Sequence, residues 1–239
     1  TGHQHMSVPG QMVQGTFVVQ PSDKGQEFLK VEAAVSDDGA QFSSRTIHAA
    51  GPCRPEWLAE FSGMERGAQD WLDQIVGHLD APLTLDTPLR MAANGTALAD
   101  LFNTVQLAAS GAQISVTSLA NDAAGLPQTV RRRDILNAYP YTNTLTVMQI
   151  TGAVLRRAME RSAEYFALEN GGLAVSECFL KPIEQHFNYD YISGVEVTED
   201  IRRPIGDRVV SIKYRGKELP EGKRLTLCLN NYRATGAGG

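Results

Sequence analysis

The fold is indicated most clearly by residues 138–152, which read AYPYTNTLTVMQITG. Residues 144–150 are rich in β-branched and apolar side chains, a composition typical of a β-strand. The Thr-Gly pair that follows predicts the start of a helix running to about residue 166. The apolar positions of that helix recur at helical spacing and predict an inner stripe of Val154, Leu155, Ala158, Met159 and Ser162.

Further strands and helices extend on both sides of this strand–helix unit. Strands are predicted at residues 16–20, 28–34, 113–118, 192–198, 208–214 and 224–230. Helices are predicted at residues 56–80, as one helix or two, at 131–138 and at 96–110, the last with Leu98, Leu101, Phe102, Val105 and Ala109 on one side. Hairpins are as frequent as crossovers, so the sequence favours an α+β fold with mixed sheets and packed helices.

Composition limits the classes of protein and of partner. The chain has 239 residues, of which 42% are hydrophobic, enough to bury a core, and its formal net charge is −5. A mildly acidic protein has no global field that attracts a nucleic-acid polymer. No run of 18 apolar residues occurs, so no membrane-spanning helix is expected. The three cysteines form no C-x-x-C motif, which argues against a zinc knuckle or a redox pair.

A candidate metal-binding motif lies at residues 2–5, Gly-His-Gln-His. The imidazoles of His3 and His5, two positions apart in an extended turn, can face one metal cluster, and neutral imidazole suits zinc, manganese or iron. A purification-tag remnant would also place histidines near an amino terminus, so the motif leaves both interpretations open. Residues 36–55 are small and polar, which predicts an exposed connection or a domain boundary.

Two aromatic segments are candidates for ligand binding. Pro140 restricts its own backbone and that of Tyr139, so Tyr141 enters the following strand from a rigid position. An exposed ring there can stack on a nucleobase, although packing against a sheet edge would explain it equally well. Residues 230–239, NNYRATGAGG, run from a strand into a loop that can bring backbone close to a ligand, with a frayed terminus as the alternative.

Taken together, these motifs resemble the 5′-nucleotidase family. The GHQHMSVPG run, the strand ending in Gln-Pro and the later glycine resemble the end of its metallophosphoesterase domain. The order P-Y-x-N, strand, T-G helix, hairpin and N-Y-x-A-x-G resembles its carboxy-terminal domain. The resemblance implies that residues 1–36 end the catalytic domain, that 37–80 form a linker and connecting helix, and that 81–239 form the nucleotide-binding domain. It also implies that His3 and His5 are the last ligands of two divalent ions, zinc, manganese or similar.

The resemblance also implies how a nucleotide is held. The base would lie between Tyr141 and Tyr232, with Asn143 touching it, and Asn121 and Gly236 would also contact substrate. The resemblance does not identify phosphate-binding arginines in this sequence. The G-G-G-I-R loop of 5′-nucleotidases is absent, and residues 118–125 read SLANDAAG instead. Residues 131–133, three arginines, are interpreted as a solvated helix start rather than a phosphate site.

The tyrosine pair and the segments NNYRA and FNYDYISGV resemble the branch that includes bacterial 2′,3′-cyclic-nucleotide 2′-phosphodiesterase/3′-nucleotidases. The resemblance implies a hydrolase of phosphate esters whose substrate is a nucleotide or nucleoside phosphate. We expect an upstream catalytic domain in the same polypeptide, no activity from this segment alone, and export to the periplasm, the cell wall or the medium. The alternatives are a 5′-nucleotidase or UDP-sugar hydrolase, and a nucleotide-binding module without catalysis.

Overall fold

The structure is a computed structural model that describes residues 6–37 and 39–237. Its secondary structure is a mixture of helices and several small sheets, so the predicted α+β class is confirmed. The chain divides into two compact units, one up to Glu65 and one from Arg66 onward. Within the described residues, no helix is both long and apolar enough to cross a membrane.

The first unit consists of two antiparallel hairpins. Strands β1 (Val8–Val13) and β2 (Thr16–Gln20) form one, and β3 (Glu27–Ser36) and β4 (Gly39–His48) form the other. The predicted strands at 16–20 and 28–34 are confirmed, but residues 36–55, expected to be an exposed connection or a domain boundary, contain a ten-residue strand, β4. Most of β4 is exposed, so no apolar alternation marks it in the sequence.

Helix α1 (Pro55–Leu72) crosses the boundary, and the second unit contains the remaining elements. In chain order they are β5 (Ile75–His78), α2 (Pro88–Asn94), α3 (Ala97–Ser110), β6 (Ile114–Thr117), β7 (Thr129–Arg131), α4 (Arg132–Ala138), β8 (Leu145–Thr151), α5 (Gly152–Ala163), β9 (Phe166–Glu169), β10 (Gly172–Val175), β11 (Tyr191–Ser193), β12 (Glu196–Glu199), β13 (Val209–Tyr214), β14 (Lys217–Glu218), β15 (Arg224–Asn230) and α6 (Asn231–Ala234).

The central sheet has four strands in the order β11, β6, β15, β8. Strands β6 and β15 are parallel, whereas β11 and β8 run antiparallel to their neighbours. The carboxyl ends of β6 and β15 therefore lie at the same end of the sheet as the amino ends of β11 and β8. The segments attached to all four of these strand ends emerge together.

Helix α5 provides the apolar cover of this sheet. Leu155 is fully buried and Met159 nearly so, in one core cluster with the inward side chains of β8 and β15. Val154 is 38% exposed and Ala158 is exposed, so the predicted stripe is confirmed only for Leu155, Met159 and Ser162.

Helix α3 contacts β6 and β11 through a partly polar face. Asn103 donates to the Tyr191 carbonyl at 3.0 Å, and Gln106 donates to Ser115 Oγ at 3.1 Å. Of the predicted apolar side only Leu98 is fully buried, and Val105 is 56% exposed. Hydrogen bonding makes burial of these two amides possible, which a count of apolar residues cannot reveal.

Three predicted boundaries differ from the structure. The helix predicted at 56–80 ends at Leu72, and β5 then pairs with β7. Helix α5 ends at Ala163, because Tyr165 and Phe166 turn into a separate buried aromatic cluster. The strand predicted at 192–198 divides at Gly194, whose φ is +97° and where a Cβ would lie 2.3 Å from the Gln113 carbonyl oxygen.

Candidate functional site

Four segments meet at one end of the central sheet. They follow β6 (residues 118–123), precede β8 (141–144), precede β11 (186–190) and follow β15 (231–237). We call these four segments together the loop end. Every candidate substrate-binding residue from the sequence belongs to it: Asn121, Tyr141, Asn143, Tyr232 and Gly236.

Two reciprocal hydrogen bonds join the segments that carry the candidate stacking tyrosines. The Asn231 amide donates to the Thr144 carbonyl at 2.9 Å, and the Thr144 amide donates to Asn231 Oδ1 at 2.9 Å. These bonds continue the pairing of β8 with β15, in which Asn230 is opposite Leu145. The backbones before Leu145 and after Asn230 therefore lie side by side.

The rings of Tyr141 and Tyr232 differ from the other tyrosines in their exposure. Both are exposed, at 57% and 44%, whereas the other five of the seven tyrosines are buried or half-buried, and all seven lie within the described residues. An exposed aromatic ring keeps apolar surface in contact with water, so the fold does not gain the stabilisation that burying this surface would give. The two exposed tyrosines thus both lie at the loop end, where Tyr189 is half-buried.

Asn143 is held by a neighbouring ring. Its Nδ2 donates to the Tyr139 hydroxyl at 3.1 Å, and the Tyr139 ring meets Phe102 edge-on at a centroid distance of 5.3 Å. The amide of Asn143 is therefore oriented by a tyrosine that is packed against helix α3. Its contact with a base stays a prediction.

Asn121 connects two of the loop-end segments. Its Nδ2 donates to the Glu184 carbonyl at 2.8 Å, and its Oδ1 accepts from the Phe187 amide at 3.2 Å. Both ends of the side-chain amide are thus used to hold residues 184–187. Asn121 shapes the loop end in this structure, and a direct contact with substrate stays a prediction.

Arg233 is the residue that links the loop-end segments and that the sequence analysis missed. Its side chain is 10% exposed, and its guanidinium donates to Asp190 Oδ1 at 2.9 Å, Asn188 Oδ1 at 3.0 Å, the Phe187 carbonyl at 2.8 Å and the Ala237 carbonyl at 3.0 Å. It therefore joins the tail after β15 to the segment before β11. The only signal in the sequence was an arginine directly after the candidate stacking residue Tyr232.

The charge of Asp190 depends on this arginine. Burial raises the pKa of the Asp190 carboxyl, and the adjacent Arg233 guanidinium opposes that shift by its charge and its hydrogen bond. Gly236 adopts φ +85° and donates its amide to the Arg233 carbonyl at 2.9 Å. The tail therefore forms a closed turn of defined shape rather than the open Gly-rich loop expected from the sequence.

Two of the three arginines at 131–133, Arg132 and Arg133, have a structural role. Arg132 stacks over Trp71, with its Cζ 4.7 Å from the ring centroid, and Arg133 donates to Asp73 Oδ1 and Gln69 Oε1, each at 2.7 Å. They fasten α4 to the end of α1. Arg132 and Arg133 are thus engaged with neighbouring side chains rather than fully solvated as expected, and the absence of a phosphate site there stays a prediction.

The predicted metal ligands His3 and His5 lie outside the described residues. Within residues 6–37 and 39–237, no group of three or more His, Cys, Asp or Glu side chains could hold a metal ion.

Comparison with known proteins agrees with the resemblance. The sequence model of the 5′-nucleotidase C-terminal domain matches residues 75–239. The chain is 25% identical over 119 residues to the trifunctional nucleotide phosphoesterase protein YfkN of Bacillus subtilis, covering 45% of this chain and 8% of that protein. It is 27% identical over 150 residues to the 2′,3′-cyclic-nucleotide 2′-phosphodiesterase/3′-nucleotidase of Haemophilus influenzae, covering 53% of this chain and 22% of that protein.

Among solved structures, one assigned to a 5′-nucleotidase of Staphylococcus aureus superposes with a TM-score of 0.86 at 31% identity, covering 99% of this chain and 47% of that one. A 5′-nucleotidase precursor of Thermus thermophilus shares the fold, with a TM-score of 0.60 at 17% identity, covering 96% of this chain and 46% of that one. The chain spans less than half the length of each of these relatives. Since the family model covers well over half of the residues, this chain belongs to the 5′-nucleotidase C-terminal domain family.

Proposed function

We propose that this chain is the substrate-binding portion of a di-metal phosphoesterase that hydrolyses 2′,3′-cyclic nucleotides and 3′-nucleotides. The base is held between Tyr141 and Tyr232. The observation that carries the proposal is that the two exposed tyrosines of the chain, Tyr141 and Tyr232, both lie at the loop end. A flat exposed ring binds a base by stacking, which contributes about 1–3 kcal/mol per base and tolerates any base.

The proposal divides the chain by function. Residues 1–36 would end the catalytic domain, 37–80 would connect the domains, and 81–239 would bind the nucleotide. His3 and His5 would be ligands of two divalent ions, which in such centres polarise the phosphoryl group and activate a hydroxide. The other ligands would come from an upstream domain of the same polypeptide, and the protein would be exported.

Specificity for the base follows from the chemistry at the loop end. Stacking by Tyr141 and Tyr232 does not select among bases, whereas the Asn143 amide can donate to and accept from a base edge. Because Asn143 is oriented by Tyr139, its hydrogen bond would be directed rather than adaptable. We expect broad use of purine and pyrimidine nucleotides with modest preferences.

The test is a comparison of Tyr141 variants in the full-length enzyme. Tyr141→Ala should raise the KM for 3′-AMP about 5- to 150-fold, as loss of about 1–3 kcal/mol of stacking requires. Tyr141→Phe keeps the aromatic face and should keep the KM near the wild-type value. Glycerol 2-phosphate is a secondary phosphate ester without a ring, and its kinetics should not change in either variant. Equal losses on both substrates in Tyr141→Ala would refute base stacking.

One alternative is supported by a specific observation. The Staphylococcus aureus structure that is 31% identical to this chain is assigned to a 5′-nucleotidase. Hydrolysis rates measured on 2′,3′-cyclic AMP, 3′-AMP, 5′-AMP and a UDP-sugar distinguish the two candidate activities. Clear preference for 5′-AMP or the UDP-sugar would favour the alternative, and absence of hydrolysis of all four by the full-length protein would favour a binding module.

A further inference from the structure

We propose that Arg233 and Asp190 form a positioning pair that fixes Tyr232 against a bound base and thereby sets nucleotide affinity. This inference rests on the proposed stacking role of Tyr232. Arg233 does not touch the base in the proposal. It acts through the backbone of the turn that carries the ring.

The turn that carries Tyr232 is too short to hold its shape alone. Helix α6 has four residues, and a single helical turn is unstable without outside contacts. Its first residues are fastened to β8 by the Asn231–Thr144 bonds, and Asn230 Oδ1 accepts from the Arg233 amide at 2.9 Å. The second half of the turn needs a separate anchor.

Arg233 supplies that anchor on both sides of the turn. One Nη donates to the Ala237 carbonyl at 3.0 Å, and the other donates to the Phe187 carbonyl at 2.8 Å. The Ala237 amide in turn donates to the Tyr232 carbonyl at 3.3 Å, which closes the loop around the backbone of Tyr232. Since Tyr232 is 44% exposed, packing holds its ring only in part, and its placement depends also on this backbone.

The arrangement requires the chemistry of arginine. Four acceptors surround the guanidinium in different directions, and only a planar group with five donors can satisfy them together. Asp190, with a side chain 21% exposed, is the one carboxylate among these acceptors. Loss of either partner leaves the other as a poorly hydrated charge, which loosens the turn.

The test uses Arg233→Met and Arg233→Lys in the full-length enzyme. Arg233→Met should raise the KM for 3′-AMP about 5- to 50-fold, within the range that stacking supplies, and kcat should change less than about 2-fold. Arg233→Lys keeps the charge beside Asp190 but satisfies fewer acceptors, so its KM should be intermediate. The matched control is Arg202→Met, which removes an exposed arginine that also pairs with an aspartate, Asp200, and should leave both constants unchanged.

A double substitution tests whether Arg233 acts through Tyr232. Adding Arg233→Met to Tyr232→Ala should raise the KM no further, because the ring to be positioned is already absent. An additional rise of 5-fold or more would overturn the positioning role, as would an unchanged KM in Arg233→Met. If Tyr232→Ala alone leaves the KM for 3′-AMP unchanged, the stacking proposal fails. If it raises the KM while both Arg233 variants behave as wild type, only the positioning proposal fails.

Discussion

Glu199, at the end of β12, should make the stability of the domain depend on pH. Burial and the neighbouring carboxylate of Glu160 raise the pKa of Glu199 from 4.5 to about 7, and Arg208 opposes the shift only in part. Glu160 is fixed in place, since its two carboxylate oxygens accept the amides of Arg208 and Val209 at 2.9 and 2.8 Å. If Glu160 moved away to reduce its repulsion of Glu199, it would therefore lose these two hydrogen bonds.

The raised pKa of Glu199 determines whether the free energy of unfolding rises or falls with pH. Between pH 4.5 and about 7 the folded chain holds a proton on Glu199 that the unfolded chain has released, so the free energy of unfolding falls as pH rises through this range. A pKa difference of about 2.5 corresponds to about 3 kcal/mol, and partial exposure of Glu199 reduces the expected loss to about 1–2 kcal/mol. Above pH 7 the loss is complete.

Urea denaturation of wild type and Glu199→Gln at pH 5 and pH 8 measures this effect. The glutamine resembles the protonated acid, so the two proteins should be similar at pH 5, and the variant should be more stable by about 1–2 kcal/mol at pH 8. Glu196→Gln is the control, because Glu196 is an exposed residue of the same strand. A stability difference between wild type and Glu199→Gln that is the same at both pH values would refute the reasoning.

Two further predictions concern packing, and both are measured by urea denaturation. Leu155→Ala should lower the free energy of unfolding by about 2–5 kcal/mol because Leu155 is fully buried. Val154→Ala should lower it by less than about 1 kcal/mol because Val154 is 38% exposed. Similar losses in the two variants would mean that the buried face of α5 has been assigned wrongly. Gly194→Ala should cost about 1–3 kcal/mol more than Gly216→Ala, since both glycines have positive φ but only at Gly194 would the new methyl group lie 2.3 Å from a carbonyl oxygen. Equal costs would show that φ alone matters there.

The sequence predicted those elements whose buried face is apolar. Strands β8 and β15 and helix α5 carry such faces, and they were placed within a few residues of their observed bounds. Strand β4 was missed because most of its side chains are exposed, and the buried face of α3 was misplaced because Asn103 and Gln106 occupy it. Periodicity reports hydrophobicity, so polar groups buried with hydrogen-bond partners escape it.

The candidate site could be predicted only as separate segments. Local rules marked Tyr141 by its preceding proline and Tyr232 by its glycine-rich surroundings, but the register that brings them to one end of a sheet depends on pairing across 85 residues of chain, between Asn230 and Leu145. The role of Arg233 depends on contacts to residues 187–190, more than 40 positions away. No local pattern encodes such contacts.

The tyrosines of the second unit show how the fold separates buried rings from the two exposed rings that we propose to stack on a base. Tyr165 is fully buried and meets Phe166 and Phe179 edge-on. Its hydroxyl lies 2.7 Å from His186 Nδ1. Burial, together with the nearby charge of Glu184, raises the pKa of the Tyr165 phenol to about 12. A ring used in this way contributes apolar burial and cannot accept a ligand. Tyr141 and Tyr232 contribute little to burial, yet the backbone bonds of Thr144, Asn231 and Arg233 hold the segments that carry them. Order in the backbone without burial of the ring lowers the entropy cost of binding a flat ligand there, which is the property that a base-stacking site requires.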